Sequence, residues 1–239
     1  MTKTVHIVPV GFTKEKLIDS LKNYPFQKVY LLEGSNPNLE GEDTARETAR
    51  DMKDSLKSVV EVLEVEVDKE DVFESVKTIV AIITAEQSEG NKVKLNVTGS
   101  MRTVGIACYL AASITGAEVY AGVSDYDKKG GYLGIKKIVS IPSFPIRRIS
   151  NGKQAILEAL NECDGEVDSL EDIITTINSD LRPGVEGYEG ERSRTSYLVK
   201  ELEKDGFVES EKSGKMLKVK LSKLGEIYAI AKTSGEVNS

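Results

Sequence analysis

The fold of the N-terminal half is decided by the stretch Asn96-Val97-Thr98-Gly99-Ser100-Met101-Arg102-Thr103. This stretch follows a strand-like run that begins at Lys92, and it opens an apolar run of helical length from Val104 to Ile114. A strand that turns sharply into a helix leaves several backbone N–H groups unpaired at the helix start. Those donors and the positive end of the helix dipole form a seat for a phosphate. A guanidinium in the first turn, here that of Arg102, grips phosphate oxygens.

The same turn also has a plainer interpretation as an ordinary connection from a strand to a helix. In that interpretation the hydroxyl of Thr98 or Ser100 caps the first helical turn. A cap of this kind occupies the N–H groups that would otherwise hold an anion. Both interpretations stay open on the strength of this turn alone.

Alternating strand and helix patterns continue through the N-terminal half, from Val5 to Ile141. The strands are apolar and rich in β-branched residues, and the run from Tyr132 to Ile141 returns across a glycine-containing turn as an antiparallel edge. These patterns predict an α/β fold with an open, mostly parallel Rossmann-like sheet and helices on both faces. The predicted strands are Val5–Val10, Lys28–Leu32, Ser58–Val67, Val93–Val97 and Glu118–Val123, and the predicted helices are Thr13–Asn23, Asp43–Lys57, Asp71–Gln87 and Val104–Ile114.

Three loops are expected at the carboxyl edge of this sheet, where open α/β sheets bind ligands. They are Val10–Thr13 after the first strand, Gly34–Asn36 after the second and Thr98–Arg102 after the fourth. All three contain glycine and small polar residues. Because loops of this kind need such residues in any protein, a ligand site and a purely structural role are equally good interpretations.

Composition limits the chemistry that this chain can perform. Neither Cys108 nor Cys163 has the spacing of a zinc ligand, so we expect no metal and no cofactor. The only histidine, His6, lies in the middle of a predicted strand, where a structural role is expected. No apolar run approaches the roughly 20 residues that span a bilayer. The start of the chain also lacks the profile of a signal peptide, so we expect no membrane contact and a cytoplasmic protein.

The helix from Val104 to Ile114 is apolar on nearly every face. A helix of this kind is buried all round, either under the sheet or against a second subunit. Its small residues allow another helix to approach closely. We therefore predict a homodimer that forms through this helix; the small residues are Gly105, Ala107, Ala111, Ala112 and Ser113.

The helical pattern changes character beyond Ile141, where Pro142 and Pro145 forbid a continuing helix. We predict three parts: a ligand-sensing and dimerisation domain in residues 1–141, a linker in 142–150 and a second domain in 151–239. The second domain starts with three helical patterns, the third of which runs from Glu191 to Asp205. It then has a hairpin with a basic tip and a last helix. The predicted core residues of the third helix are Tyr197, Leu198 and Leu202.

This layout resembles the winged helix-turn-helix of archaeal and bacterial transcription regulators. In that fold the third helix enters the major groove of double-stranded DNA, and the wing contacts the flanking backbone or the minor groove. The resemblance implies that Arg192, Ser193, Arg194, Thr195 and Ser196 contact base edges and that Lys212, Lys215 and Lys218 contact phosphates. The alternative is a winged helix that binds another protein.

The chain as a whole resembles the CRISPR-associated Rossmann fold (CARF) regulators that carry a C-terminal winged helix. In that family the first strand ends in Gly-Phe, matched here by Gly11-Phe12. The fourth strand ends in Asn/Asp-x-Thr-Gly-Gly-Thr-Lys/Arg, matched by Asn96–Arg102 with Ser100 and Met101 as departures. The resemblance implies a homodimer that binds a cyclic oligoadenylate, commonly cyclic tetra-adenylate, across its twofold axis. The residues that it places at the ligand are Gly11, Phe12, Asn96, Thr98, Gly99, Ser100, Met101 and Arg102.

The expected function is therefore that of a ligand-responsive, DNA-binding transcription regulator without catalytic residues. One alternative is a ring nuclease that cleaves its cyclic ligand with the help of Ser100 and Arg102. Another is a regulator unrelated to CRISPR that senses a different anionic nucleotide. A ligand-activated ribonuclease is excluded, because its usual domain needs an Arg-x(4–6)-His motif and the sole histidine is His6.

Overall fold

The computed structural model describes residues 2–142, 149–213 and 216–231, without the side chain of Ser213. The chain divides into two units on either side of the segment 143–148. Most of the predicted linker, 142–150, and the predicted DNA-contacting Lys215 lie outside the described residues. The two units are described separately below.

The N-terminal unit is a six-stranded sheet in the order β3-β2-β1-β4-β5-β6, with β1 to β5 parallel and β6 antiparallel to β5. This confirms the predicted Rossmann-like α/β fold. Each helix follows the strand that the hydrophobic pattern predicted. The elements are β1 Thr4–Pro9, α1 Lys14–Leu21, β2 Lys28–Gly34, α2 Glu42–Leu56, β3 Glu61–Val67, α3 Val72–Ser88, β4 Lys92–Asn96, α4 Arg102–Thr115, β5 Glu118–Tyr126 and β6 Tyr132–Ile141.

The strand order creates a switch point between β1 and β4. These two strands are neighbours in the sheet, with Val5 opposite Val93 and Ile7 opposite Leu95. After β1 the chain proceeds toward β2, and after β4 it proceeds in the other direction toward β5. The loops that follow β1 and β4 therefore diverge and leave a crevice at the carboxyl edge of the sheet.

The core of this unit consists of the apolar strand residues and one face of each helix. Helix α4 buries Val104, Ala107, Cys108 and Ala111, but Ile106 on its other side is 54% exposed. Within a single chain, α4 is thus not buried on nearly every face. The composition of α4 predicts that it is covered by the sheet or by a second subunit. The sheet of the same chain covers only one side of the helix.

His6 lies in the core of the sheet and is fully buried. Its Nδ1 shares a hydrogen bond with the hydroxyl of Tyr120, the two atoms lying 2.7 Å apart. Burial, together with the nearby charge of Lys94, lowers the pKa of His6 to about 4, so the imidazole is neutral at pH 7. Its Nε2 has no hydrogen-bond partner in the described part of the chain. His6 therefore occupies a structural position, away from any surface crevice.

The C-terminal unit contains four helices and a three-stranded antiparallel sheet in the order β7-β9-β8. Ser169 caps its second helix, because its hydroxyl accepts a hydrogen bond from the N–H of Asp172. The third helix begins at Tyr188, three residues before the predicted start, after Gly187 in a left-handed conformation. The two-residue strand β7 was not predicted. The elements are α5 Asn151–Glu162, β7 Glu166–Val167, α6 Leu170–Ile177, α7 Tyr188–Lys204, β8 Val208–Ser213, β9 Met216–Leu221 and α8 Lys223–Ile230.

Two kinds of feature are missing from the described residues. No helix among them is long and apolar enough to cross a membrane. Nor do three or more of their His, Cys, Asp and Glu side chains come together in a group that could hold a metal ion.

Candidate ligand pocket and DNA-binding surface

The loops after β1 and β4 touch each other through two glycines. A Cβ atom at position 11 would lie 2.1 Å from the carbonyl oxygen of Gly99, and a Cβ at position 99 would lie 2.8 Å from Cδ2 of Leu17. Real Cβ contacts are never this short. Gly11 and Gly99 therefore allow the two backbones to come together at the switch point of the sheet.

The start of α4 carries no side-chain cap. Its N-cap residue is Met101, and no side-chain hydrogen bond is made there. The hydroxyl of Thr98 accepts a hydrogen bond from the N–H of Gly122 at 2.8 Å, and that of Ser100 donates to the carbonyl of Val97 at 3.3 Å. The interpretation in which Thr98 or Ser100 caps this helix is therefore wrong. The first N–H groups of α4 stay without a side-chain acceptor, as an anion seat requires.

Asn96 shapes the turn from beneath. Its side chain is fully buried, and its Nδ2 donates to the hydroxyl of Ser20 at 2.7 Å. Its Oδ1 accepts hydrogen bonds from the N–H of Thr98 at 3.1 Å and from the hydroxyl of Thr98 at 2.5 Å. The structure thus places Asn96 and the Thr98 hydroxyl under the turn, where they fix its shape, and not on the surface that a ligand reaches.

A pocket of about 260 Å³ opens beside the two glycine loops. Its third wall is the chain that leads into α2, where Gly41 has a φ of +80° and a Cβ would lie 2.5 Å from the ring of Phe12. Two side chains at the mouth of the pocket are exposed, Phe12 at 66% and Met101 at 44%. The predicted ligand residues that line this pocket are Gly11, Phe12, Gly99, Ser100 and Met101; Asn96, Thr98 and Arg102 do not line it.

Three charged residues that line this pocket were not predicted, Glu40, Glu42 and Lys69, and of these Glu40 is exposed. Only 7% of Lys69 and 1% of Glu42 is exposed, and the Lys69 Nζ lies 2.7 Å from the Glu42 Oε2. The other carboxylate oxygen accepts a hydrogen bond from the N–H of Gly34 at 2.6 Å. The carbonyl of Lys69 accepts one from the hydroxyl of Thr103 at 2.8 Å, which ties this loop to α4. Lys69 comes shortly after the end of β3 at the carboxyl edge of the sheet, whereas Glu42 is the first residue of α2, eight residues beyond Gly34.

Arg102 is the free cation next to this pocket. It is the first residue of α4, it is exposed, and it forms no ion pair with any residue that the structure describes. Its neighbour Met101 lines the pocket mouth. The pocket walls are mostly apolar apart from the Lys69–Glu42 pair and the exposed Glu40, whereas the start of α4 and Arg102 follow Met101 at its mouth. The pocket therefore suits a flat apolar ring system, and its rim suits an attached phosphate.

Helix α7 presents a different face to solvent than predicted. Thr195, predicted to contact bases, is only 1% exposed, so that prediction is wrong. Tyr197, predicted to lie in the core, is 63% exposed, which is a second correction. Arg192 and Ser193 are exposed as expected, Ser196 is half-buried, and exposed Arg194 lies 3.4 Å from Glu191. The residues of α7 that are buried are Tyr188, Thr195, Val199 and Leu202.

The lysines of the wing differ in whether they form ion pairs. Lys218 forms an ion pair with Glu166, and their hydrogen bond raises the pKa of Lys218 and lowers that of Glu166. Lys218 also lies opposite Glu211 across the hairpin. Lys212 is exposed and forms no ion pair with the rest of the described chain. Of the two described lysines predicted to contact phosphates, Lys212 thus has no acidic partner among the described residues, and Lys218 is paired with Glu166.

Two family models match the chain, one in each unit. The model described as "HFX_2341_N:-like, N-terminal" matches residues 4–126, and the "DUF6293 C-terminal winged helix domain" matches residues 152–233. An uncharacterized protein of Archaeoglobus fulgidus is 30% identical over 230 residues, which are 95% of this chain and 98% of that protein.

Several solved structures show a looser likeness. Can2 from Sulfobacillus thermosulfidooxidans, solved in complex with cyclic tetra-adenylate, is 13% identical with a TM-score of 0.42; the match covers 95% of this chain and 61% of that one. Csm6 from Enterococcus italicus, bound to cyclic hexa-2'-fluoro-hexa-dAMP, is 12% identical with a TM-score of 0.45; the match covers 85% of this chain and 55% of that one. The chain thus spans about three fifths or less of the length of either of these proteins.

The expected combination of an N-terminal domain with a C-terminal winged helix domain is confirmed by the two family models. The first model covers more than half of the chain, and the archaeal relative covers nearly all of it. The chain therefore belongs to the HFX_2341_N-like family, with the DUF6293 type of winged helix at its C-terminal end.

Proposed function

We propose that this protein is a DNA-binding transcription regulator whose N-terminal domain senses an anionic nucleotide. One observation carries the sensing part: α4 begins without a side-chain cap beside the Gly11–Gly99 contact, with Arg102 unpaired among the described residues. A helix start of this kind binds phosphate through its N–H groups and its dipole. The winged helix domain supports the DNA-binding part.

The proposed ligand is a cyclic oligoadenylate, with cyclic tetra-adenylate as the leading candidate. Its phosphates would bind at the start of α4 and to Arg102, and an adenine ring would enter the pocket between Phe12 and Met101. Aromatic rings stack well on the flat face of a base. The choice of this ligand comes from the likeness of Gly11-Phe12 and Asn96–Arg102 to the CARF motifs. A different anionic nucleotide is the alternative.

The proposed active form is a homodimer. The outer side of α4 exposes Ile106 at 54% and Met101 at 44%, and Phe73 at the start of α3 is 47% exposed. A second copy packed on this side would cover these apolar groups. The same arrangement brings two Arg102 side chains toward one axis, where a bound anion neutralises charges that otherwise repel. Ligand binding would thereby change how the subunits pack, and with it the spacing of the two recognition helices.

Arg102→Ala tests the sensing site directly. We expect the affinity for cyclic tetra-adenylate, measured by isothermal titration calorimetry, to fall roughly 10- to 100-fold, because a charge-assisted hydrogen bond to phosphate is lost. The matched control is Arg50→Ala, which removes an exposed arginine of α2. If the Arg102 and Arg50 variants bind cyclic tetra-adenylate with equal affinity, Arg102 does not contribute to the site. A wild-type protein that binds no cyclic tetra-adenylate would refute the choice of ligand.

Glu166→Gln tests the DNA-binding surface. Because Glu166 holds Lys218, its neutralisation should release a cation to DNA phosphates. We expect several-fold tighter binding to double-stranded DNA at low salt. A plot of the logarithm of affinity against the logarithm of salt concentration should be steeper by about 0.9. Glu162→Gln, at an exposed position of α5, makes the same change in net charge and serves as the control. If the affinity for DNA rises equally in both variants, the rise reflects the overall charge and Lys218 does not contact DNA.

We do not propose a ring nuclease. The hydroxyl of Ser100 is directed to the carbonyl of Val97, and the sole histidine of the sequence lies buried in β1. The buried imidazole of His6 cannot reach a ribose hydroxyl in the pocket. Cyclic tetra-adenylate incubated with the protein for hours should therefore elute unchanged by chromatography, and linear products would contradict this.

A further inference from the structure

The face of α7 opposite to its core contains one large aromatic side chain. The buried residues Tyr188, Thr195 and Val199 mark the inner face of the helix. At 3.6 residues per turn, Tyr197 lies about half a turn from this inner face, and it is 63% exposed. Tyr197 is thus the aromatic side chain that the outer face of α7 presents to solvent.

The surroundings of Tyr197 are suited to a polyanion. Lys200 and Lys204 lie one and two turns further along the same side, and neither forms an ion pair with any described residue. The acidic residues at this end are engaged: Glu201 and Asp205 lie 3.9 Å and 2.8 Å from Lys153 Nζ. Glu203, the remaining acid of this turn, accepts hydrogen bonds from the N–H and the hydroxyl of Ser210. Lys200 and Lys204 are therefore the cations beside Tyr197 that form no ion pair with a described acid, and Glu201 is the acid on the same side of the helix.

The helix also allows a close approach on this side. Gly190 lies two turns before Tyr197 on the same face, and a Cβ there would meet nothing within 4 Å. Between them, Ser193 is exposed, with its hydroxyl donating to the carbonyl of Glu189 at 2.9 Å. Glycine and serine let a helix sink into a groove, while the tyrosine ring projects furthest. A major groove about 12 Å wide accepts a helix in this way.

We propose that Tyr197 is the central base-contacting residue of this protein, and that its ring contacts a thymine methyl group in the major groove. This inference rests on the proposed function and deepens it. Apolar contact with the C5-methyl group is one of the ways in which side chains distinguish T·A from the other base pairs. Lys200 and Lys204 would contact the phosphates on either side and add affinity without sequence preference.

The test is a selection from a random double-stranded DNA library with the full-length protein, followed by affinity measurements on the selected consensus and on a scrambled duplex. Tyr197→Ala should lose about tenfold in affinity for the consensus and little for the scrambled duplex, with an unchanged salt slope. Tyr197→Phe should retain the preference, because the ring remains. Lys200→Ala should weaken binding to both duplexes. It should also lower the slope of the logarithm of affinity against the logarithm of salt concentration by about 0.9. Tyr126→Ala, an exposed tyrosine of the N-terminal domain, should change nothing.

The possible failures are distinguishable. If Tyr197→Ala binds DNA with an unchanged preference for the consensus, or if Tyr197→Phe loses the preference as fully as Tyr197→Ala, the proposed ring contact is wrong while DNA binding stands. If the wild-type protein binds neither duplex at low salt, the proposed function itself fails, and the inference with it. Thermal unfolding of each variant confirms that the exposed substitutions leave the fold intact.

Discussion

Lys69→Met is expected to destabilise the N-terminal domain by about 3–5 kcal/mol, the usual effect of removing one partner from a buried ion pair. Glu42 is only 1% exposed, so its carboxylate cannot turn to water when the ammonium is removed. The N–H of Gly34 and the Arg46 Nε at 3.9 Å would be its remaining polar neighbours. Methionine keeps most of the volume of lysine, so the lost charge dominates the effect. Urea unfolding followed by circular dichroism measures it.

Two further variants identify the cause of this loss. The double variant Lys69→Met/Glu42→Gln removes the stranded charge and should recover a large part of the stability. Lys53→Met removes an equally close partner of Glu64 at the surface, where ion pairs contribute little, and should change the unfolding midpoint only slightly. If Lys69→Met unfolds like Lys53→Met, the buried pair does not stabilise the pocket.

Gly11→Ala is expected to abolish binding of cyclic tetra-adenylate and to destabilise the same domain by about 1–3 kcal/mol, as overpacking does. The added methyl carbon would lie 2.1 Å from the carbonyl oxygen of Gly99. A side-chain rotation cannot relieve this contact, because the backbone fixes the positions of both atoms. The loops after β1 and β4 must separate, which moves the start of α4 out of the geometry that holds a phosphate. Calorimetry with the nucleotide and thermal unfolding measure the two effects.

Gly190→Ala is the matched control for this substitution. It lies inside α7, and its Cβ meets nothing within 4 Å, so the change should raise stability slightly through helix propensity and leave nucleotide binding unchanged. A Gly11→Ala protein that binds the nucleotide as tightly as wild type would show that the contact between the two loops is not needed for the site.

Hydrophobic periodicity was sufficient to predict the sheet and the start of α4, because apolar strands followed by amphipathic helices permit few other arrangements. It was not sufficient for α7. The sequence pattern predicts Tyr197, Leu198 and Leu202 on the inner face of this helix, whereas Tyr197 is 63% exposed. The helix begins at Tyr188 rather than Glu191, and this buried tyrosine, with Thr195 and Val199, sets a different phase. Thr195 turns inward for the same reason, although it is polar.

The site was predicted in outline and not in its polar detail. Gly11 and the Gly99 turn were identified because parallel strands bring their following loops to one edge. The pair of Lys69 and Glu42 was missed, because its members are 27 residues apart and no local pattern marks a buried ion pair. Asn96 was assigned to the ligand, but its hydrogen bonds turn it beneath the loop. Side-chain direction depends on such tertiary partners, which a motif does not specify.

The central claim is that the nucleotide site and the DNA-binding surface are coupled. Its most direct test is a fluorescence anisotropy titration of the selected DNA duplex with the full-length protein, without and with saturating cyclic tetra-adenylate. We predict that the nucleotide changes the dissociation constant for DNA about 5- to 150-fold, the usual range of such coupling, and that Arg102→Ala abolishes this change. An unchanged dissociation constant for DNA, in a protein that calorimetry shows to be fully occupied by the nucleotide, would contradict the account.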